Sequence, residues 1–205
     1  GAGNLYIADA PTHRVRRVSA DGIITTVAGN GTSGSSGDGG LAVDAQLAYP
    51  IGVAVRDDGN LFIADVEAQR VRRVSPSGAI TTVAGNGAAN GGPDGVPAAG
   101  SSLRYPVEVA VDSAGNVYVL ESNRVRQVTA DGTVRTVVDN VGPNALSGMA
   151  IGDDGVIYFA GGGILRKVSP GGAPTAVAGN GSRWYGGDGG PVSDAQLYME
   201  CCGVL

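Results

Sequence analysis

A chain of 205 residues with two cysteines, one histidine, one lysine and one tryptophan has little of what builds reactive or metal-binding sites. Cys201 and Cys202 are adjacent, and sequence neighbours rarely bond to each other, so they supply no disulfide framework and no marker of redox compartment. A lone histidine, His13, excludes any site built from several imidazoles of this chain. No apolar run approaches the ~20 residues that a membrane-spanning helix needs, so no insertion by helix is expected. Positive charge is also scarce. The net charge of −5 argues against a nucleic-acid partner, because neutralising phosphates takes clustered cations. The chain opens on Gly1-Ala2-Gly3 without a methionine, so it reads as a processed form or a fragment, and the lack of a leader says nothing about secretion.

Repetition is abundant instead. Gly3-Asn4-Leu5-Tyr6-Ile7-Ala8-Asp9 returns as Gly59-Asn60-Leu61-Phe62-Ile63-Ala64-Asp65 and as Gly115-Asn116-Val117-Tyr118-Val119-Leu120-Glu121, with a degraded copy at Gly155–Gly161. The intervals are 56, 56 and 40 residues. Periods near this length, made of short strands, mark a propeller or array in which each unit buries its apolar faces against its neighbours. The 36 glycines sit at fixed places between apolar runs, so they read as turn residues rather than as disorder.

The second unit shows the grammar. Ile51–Val55 is an apolar run ended by the turn Asp57-Asp58-Gly59-Asn60; Leu61–Ala64 follows, then Arg70–Val74, the turn Ser75–Gly78, and Ala79–Val83. Four short runs separated by Gly, Pro, Asp and Ser predict a meander of hairpins. Polarity rises from the first run to the fourth, which suits a blade with a buried inner strand and a wet outer one. After the fourth strand, units one, two and four carry a glycine-rich excursion starting at Gly29-Asn30-Gly31, Gly85-Asn86-Gly87 and Gly179-Asn180-Gly181. The third unit lacks it. Short helices can be drawn over Leu41–Leu47 and Val192–Leu197. The approximate units are 1–47, 48–103, 104–144 and 145–205, together one domain over 1–205.

These motifs resemble the NHL repeat family. The likeness lies in the Gly-Asn-Leu-Tyr-Ile-Ala-Asp block, the Arg-Val-Arg-Arg-Val blocks at 14–18 and 70–74, and Gly52-Val53-Ala54-Val55. It is closest to the long-loop variety with Ile-Thr-Thr-Val-Ala-Gly-Asn-Gly and Gly-Asp-Gly-Gly, common in large secreted or surface proteins. The resemblance implies an all-β propeller of four-stranded antiparallel blades, usually six, that binds other macromolecules, in an extracellular or cell-surface setting. Strand counting leaves two arrangements open: a closed four-bladed ring completed by Cys202–Leu205, or part of a six-bladed one. The related amidating lyases hold zinc through several histidines, which this chain does not have.

Candidate residues are few. Asp9, Asp65 and Glu121 recur opposite Arg14 or Arg16, Arg70 or Arg72, and Arg124 or Arg126; a pair repeated in every unit reads as structural, since catalysis needs one special copy. His13 occupies the place of Gln69 and Asn123 and reads as a polar turn residue. Asp38 with Asp44, Asp188 with Asp194, and Asp94 suggest calcium, but none has the spacing of a calcium loop, and turn capping is the simpler reading. No cofactor is expected. Asn30-Gly31-Thr32 and Asn180-Gly181-Ser182 fit N-glycosylation acceptors at Asn30 and Asn180 if the chain follows a eukaryotic secretory route; the other reading is that Asn-Gly is simply the favoured turn dipeptide, which Asn86-Gly87-Ala88 keeps without the acceptor. Arg183, Trp184 and Tyr185 stand where the parallel loops carry Ser33–Ser36 and Ala88–Asn90, and two readings stay open: an interaction surface, which such side chains favour, or a Trp184 that covers a neighbouring blade. Tyr49, Tyr105 and Tyr198 recur before inner strands and read as packing residues. Glu108 interrupts an inner strand where other copies have Gly52 or Gly148, which makes it the candidate channel carboxylate. The reading is a non-catalytic binding or scaffold module that meets a protein partner or copies of itself through rim loops. The alternative is a metal-dependent propeller hydrolase or lyase with a central-channel site.

Overall fold

Each Gly-Asn turn reverses the chain at a position that only glycine fills without strain. At Asp57-Asp58-Gly59-Asn60, Gly59 takes φ +83°, the Arg56 N–H donates to the Asn60 carbonyl at 2.9 Å, and Asp58 Oδ1 accepts from the Asn60 N–H at 3.0 Å. Such turns divide the chain into four antiparallel sheets. The computed structural model describes residues 3–139, 146–152 and 154–198. Blade one is β1 (Leu5–Asp9), β2 (Arg14–Val18) and β3 (Ile24–Ala28). Blade two is β4 (Pro50–Val55), β5 (Leu61–Asp65), β6 (Arg70–Val74) and β7 (Ile80–Ala84). The loop after it contributes a two-residue strand, β8 (Val96–Pro97), before blade three: β9 (Glu108–Val111), β10 (Val117–Leu120), β11 (Val125–Val128) and β12 (Thr133–Val138). Blade four is β13 (Leu146–Ile151), β14 (Ile157–Gly161), β15 (Ile164–Val168) and β16 (Thr175–Ala178).

The blades stand side by side as propeller blades. Inner strand β4 lies between β1 and β9, and β9 between β4 and β13. No strand pairing joins β1–β3 to β13–β16 among the described residues. Cys201, Cys202 and the closing strand expected at 202–205 lie outside the described residues.

Burial departs from the expected gradient. In blades two and three the second strand is dry: all five residues of β5 and all four of β10 are buried, while inner strand β4 is mixed. β11 is as dry as β10, and β14 of blade four exposes Tyr158. An inner strand turns one side to the channel, whereas the second strand is covered on both flanks by adjacent blades. The cores accordingly lie between blades. Leu61, Ile63, Val74 and Ile80 of blade two close over Val15, Ala28, Ala42, Ala45 and Leu47 of unit one. Phe62, Ala64 and Val71 close with Val117, Val119, Val128 and Val134 of blade three.

The helices drawn over 41–47 and 192–197 do not form, and the loop after blade two has only a 3-10 turn at Ala98–Gly100. Residues 41–47 form turns whose Leu41 bridges to Ala79, so the loop leaves its own blade and adds to the outer edge of the next one. The Gly39 N–H donates to the Ile80 carbonyl at 2.8 Å, the Ile80 N–H to Gly40 at 3.0 Å, and the Ala42 N–H to Gly78 at 2.8 Å. The second loop repeats this through β8, which pairs with β12. Edge pairing satisfies backbone groups that a helix would have left facing the next blade.

Inner strands approach so closely that Gly52 has no room for a side chain: a Cβ there would sit 2.7 Å from Glu108 Cα. Gly52→Ala is therefore expected to lower unfolding free energy by about 1–3 kcal/mol, read as a reduced denaturant midpoint with unchanged slope.

Candidate interaction surface

The repeated acid–base pairs resolve into inter-blade clamps. Arg72, on β6, is fully buried; its guanidinium meets Asp38 Oδ1 of the preceding loop at 2.7 Å and Asp65 Oδ2 of its own blade at 3.8 Å. Nη1 also donates to the carbonyls of Gln46 at 3.3 Å and Ser35 at 3.5 Å. Asp38 accepts a second bond from the Thr82 N–H at 3.1 Å. One blade later, Arg126 meets Asp94 at 3.0 Å and Glu121 at 4.0 Å, and Asp94 accepts from the Thr136 N–H at 2.9 Å. The carboxylates considered for calcium at 38 and 94 are thus committed to arginines. Among the described residues no three His, Cys, Asp or Glu side chains gather as a metal site.

Arg14 and Arg70 are not the partners of Asp9 and Asp65. They donate instead to the carbonyls of Asn30 at 3.0 Å and Asn86 at 3.3 Å, at the start of each loop. Asp9 faces Arg16 at 4.0 Å, on a half-buried flank. Asp9 and Arg14, and Asp65 and Arg70, are direct cross-strand partners in register, yet it is the arginine two residues on, on the same strand face, that reaches the carboxylate.

Burial dominates the electrostatics of the inner carboxyls. Desolvation raises Asp65 to about 7, against the pull of the Ala48 N–H at 2.6 Å and of Arg72 and Arg70. Burial likewise raises Glu121, whose Oε2 accepts from Arg124 Nε at 2.7 Å. Partial burial alone would raise Asp38, but bonds from Thr82 and Arg72 outweigh it and hold it below the usual carboxylate range.

His13 and Gln69 both take left-handed backbones, at φ 54° and 53°, and play one role. His13 Nδ1 accepts from the Tyr49 N–H at 3.3 Å and Gln69 Oε1 from the Tyr105 N–H at 2.7 Å, tying each hairpin to the next inner strand. Tyr49 and Tyr105 matter here through their backbones, also left-handed at 60° and 48°. The expected packing role is not found: Tyr105 and Tyr198 are exposed and Tyr49 is half-buried.

Glu108 is half-buried against Gly52, with Oε1 accepting from its own neighbour's Val109 N–H at 3.1 Å, and burial raises its carboxyl. Asn30 and Asn180 are exposed and clip their loops shut: each Nδ2 donates to the carbonyl of Asp44 or Asp194, and each Oδ1 accepts from Thr32 or Ser182. Asn86 makes the same two bonds.

Arg183, Trp184 and Tyr185 lie on the last loop, all exposed, Trp184 to 75% and Tyr185 to 82%. Tyr185 Oη donates to Asp188 at 2.6 Å, and Gly186 bridges to Gln196, which holds the loop in a closed shape. Trp184 does not cover a blade, and its indole faces solvent with Val192 and Tyr198 also exposed nearby in the chain. The clamp geometry itself escaped a reading of single repeats; the spacing of Asp38 to Arg72 and of Asp94 to Arg126 was the signal that could have found it.

Two outcomes follow from the clamps. Arg72→Met leaves Asp65 buried without its cation and is expected to cost about 3–5 kcal/mol of unfolding free energy. Arg166→Met, where blade four has Gly161 in the acid's place and Arg166, among the described residues, donates to the Gly161 carbonyl alone, costs about 1 kcal/mol or less; chemical denaturation of both variants checks the contrast. Asp65 holds its proton in the folded chain after the unfolded chain has released it. Its favourable contribution is therefore complete below the unfolded value, near 4, and is lost as pH rises through about 7. The stability difference between the parent and Asp65→Asn should fall across that window; a flat difference would refute the assignment.

The sequence model of the teneurin NHL domain matches residues 30–92. Teneurin-m of Drosophila melanogaster is 30% identical over 155 residues, covering 66% of this chain and 6% of that protein. Teneurin-3 of Danio rerio is 32% identical over 157 residues, with the same coverages. The chain thus spans about 6% of the length of these relatives. Among solved structures, virginiamycin B lyase from Staphylococcus aureus superposes with TM-score 0.58 at 16% identity, over 85% of this chain and 52% of its own. A chain of a nidogen–laminin complex gives 0.60 at 18% (83% and 58% covered), and a gluconolactonase from Xanthomonas campestris 0.57 at 14% (82% and 55%). At these identities the structural likeness carries the fold alone. With its repeated blocks, its edge-pairing loops and these relatives, the chain belongs to the NHL repeat family of β-propellers.

Proposed function

We propose that this chain is a non-catalytic interaction module that presents its rim loops to a protein partner, in an extracellular or cell-surface setting. The observation that carries the reading is the exposed Trp184–Tyr185 pair beside Arg183, on a loop braced by its own hydrogen bonds. Rigid, solvent-facing aromatics next to an arginine supply contact area at low entropic cost, and such residues dominate binding energy at interfaces. The long-loop NHL likeness and the teneurin relatives support the setting. The charge of −5 supports a protein rather than a nucleic-acid partner.

The enzyme reading draws on the lyase and gluconolactonase neighbours and on the raised carboxyl of Glu108. One half-buried carboxylate, with no cluster of three His, Cys, Asp or Glu side chains among the described residues to hold a metal, gives a metal-dependent hydrolase or lyase little to work with.

Binding of the labelled chain to intact cells of its source organism tests the proposal. The Trp184→Ala, Tyr185→Ala double variant should keep the parent's melting temperature and lose about thirtyfold or more in affinity. Unchanged binding would overturn the assignment of the surface. Lactone hydrolysis abolished by Glu108→Gln would favour the enzyme instead.

A further inference from the structure

The groove between neighbouring blades recurs along the array, but the one between blades three and four is lined by a different set of side chains. One row of cross-strand partners borders each groove. It reads Tyr6, Arg17, Thr25 in blade one, Phe62, Arg73, Thr81 in blade two and Tyr158, Lys167, Thr175 in blade four. An aromatic ring, a cation on the third strand and a threonine on the fourth are the common pattern. Blade three breaks it with Tyr118, Gln127 and Arg135, so the cation moves to the outer strand and an amide takes its former place. A set of residues present in one copy alone is not required to build a blade.

The exchanged residues form a chain of hydrogen bonds. Tyr118 and Gln127 are only 7% and 4% exposed. Tyr118 Oη donates to Asp112 Oδ2 at 3.2 Å and accepts from Gln127 Nε2 at 2.8 Å, and Gln127 Oε1 accepts from Arg135 Nε at 2.5 Å. A buried amide engaged at both ends has one orientation, and it holds the guanidinium by its Nε. That bond is the one Arg135 makes among the described residues, so Nη1 and Nη2 stay available. Blade four supplies a facing hydroxyl. In units one to three the residue that opens the second turn uses its side chain on that turn: Ser19 bonds to Ile23, Ser75 to Ala79 and Thr129 to Thr133. Ser169, their counterpart, makes no such bond among the described residues.

Arg135 and Ser169 line a cleft of about 260 Å³ with Val137, Ile157 and Val168 among its apolar walls. Both walls are blades with all four strands in place. We propose that this cleft binds a small carboxylate with a short apolar body. Nη1 and Nη2 of Arg135 take the two carboxylate oxygens side by side, Ser169 Oγ donates to one of them, and the body lies on Val137, Ile157 and Val168. Arg135 is the single cation of the lining, and the Asp112 carboxylate stands one hydrogen bond behind Tyr118. One negative charge is therefore matched, and a phosphate dianion is not. A peptide strand is a poor occupant. Pro174 stands where Ile80 of blade two donates its N–H to the Gly40 carbonyl of an incoming loop, so the chain leading into β16 lacks that donor. The site shares no residue with Arg183, Trp184 and Tyr185 and does not depend on the interaction-module reading.

Titration of the isotope-labelled chain with benzoate, followed by nuclear magnetic resonance of the Arg135 Nε–H and Gln127 side-chain amide, tests it. Saturable shifts with a Kd of about 1 mM are expected. Uncharged benzamide and inorganic phosphate should each bind about tenfold or more weakly than benzoate. Arg135→Gln, at an exposed position, should weaken benzoate binding about tenfold or more while the circular dichroism spectrum and melting temperature stay those of the parent. Arg135→Lys keeps the charge without the planar fork and should fall between the two. Arg73→Gln, in the groove between blades two and three, should bind as the parent does. Shifts that do not saturate, phosphate that binds as tightly as benzoate, or an Arg135→Gln variant that binds like the parent each overturns the site. A loss with Arg73→Gln as large as with Arg135→Gln also overturns it, because the effect would then lie in overall charge and not in this cleft.

Discussion

A blade of this protein cannot cover its own flanks, and the loop thrown forward from the preceding unit is what seals them. That loop does three things at once. It adds a strand to the outer edge of the next blade, it covers apolar residues such as Leu61 and Ile80, and it delivers a carboxylate to a buried arginine. Burying Arg72 outright would be prohibitive alone; Asp38, Asp65 and two loop carbonyls surround its two terminal nitrogens and offset the charge, leaving only Nε without a partner.

The clamp also explains where the repeat degenerates. The third unit has no long excursion, and blade four, which would receive it, has Gly161 where the other blades have Asp9, Asp65 or Glu121. Acid and loop are absent together. Where no loop arrives to help neutralise a buried guanidinium, Arg166 is only half-buried and settles for a backbone carbonyl. In blade four the third-strand arginine remains as Arg166, while its own blade's acid and the incoming loop acid are missing together.

Much of the architecture was legible because it is local. The turns at Gly59 and Gly78, the short β-branched runs and the fixed positions of Asn30, Asn86 and Asn180 follow from backbone preferences that act within a few residues. The loops were less legible. Their spacing of small apolar residues fits a helical turn, but the edge of the adjacent blade offered backbone partners that a helix would have forgone. The tyrosines before the inner strands misled for a similar reason: their repetition reflects a backbone conformation and a tie to His13 or Gln69, not a buried ring.

Sequence alone determined that this is an all-β array of hairpin blades with long loops on one rim, because turn residues and alternating runs leave few other outcomes. Which carboxylate meets which arginine was decided only by the stacking of blades. Asp38 and Arg72 are 34 residues apart, and their meeting depends on a loop crossing to the neighbouring sheet. The same stacking left Trp184 in solvent, since exposure depends on which neighbour lies against a flank and not on the residues that compose it.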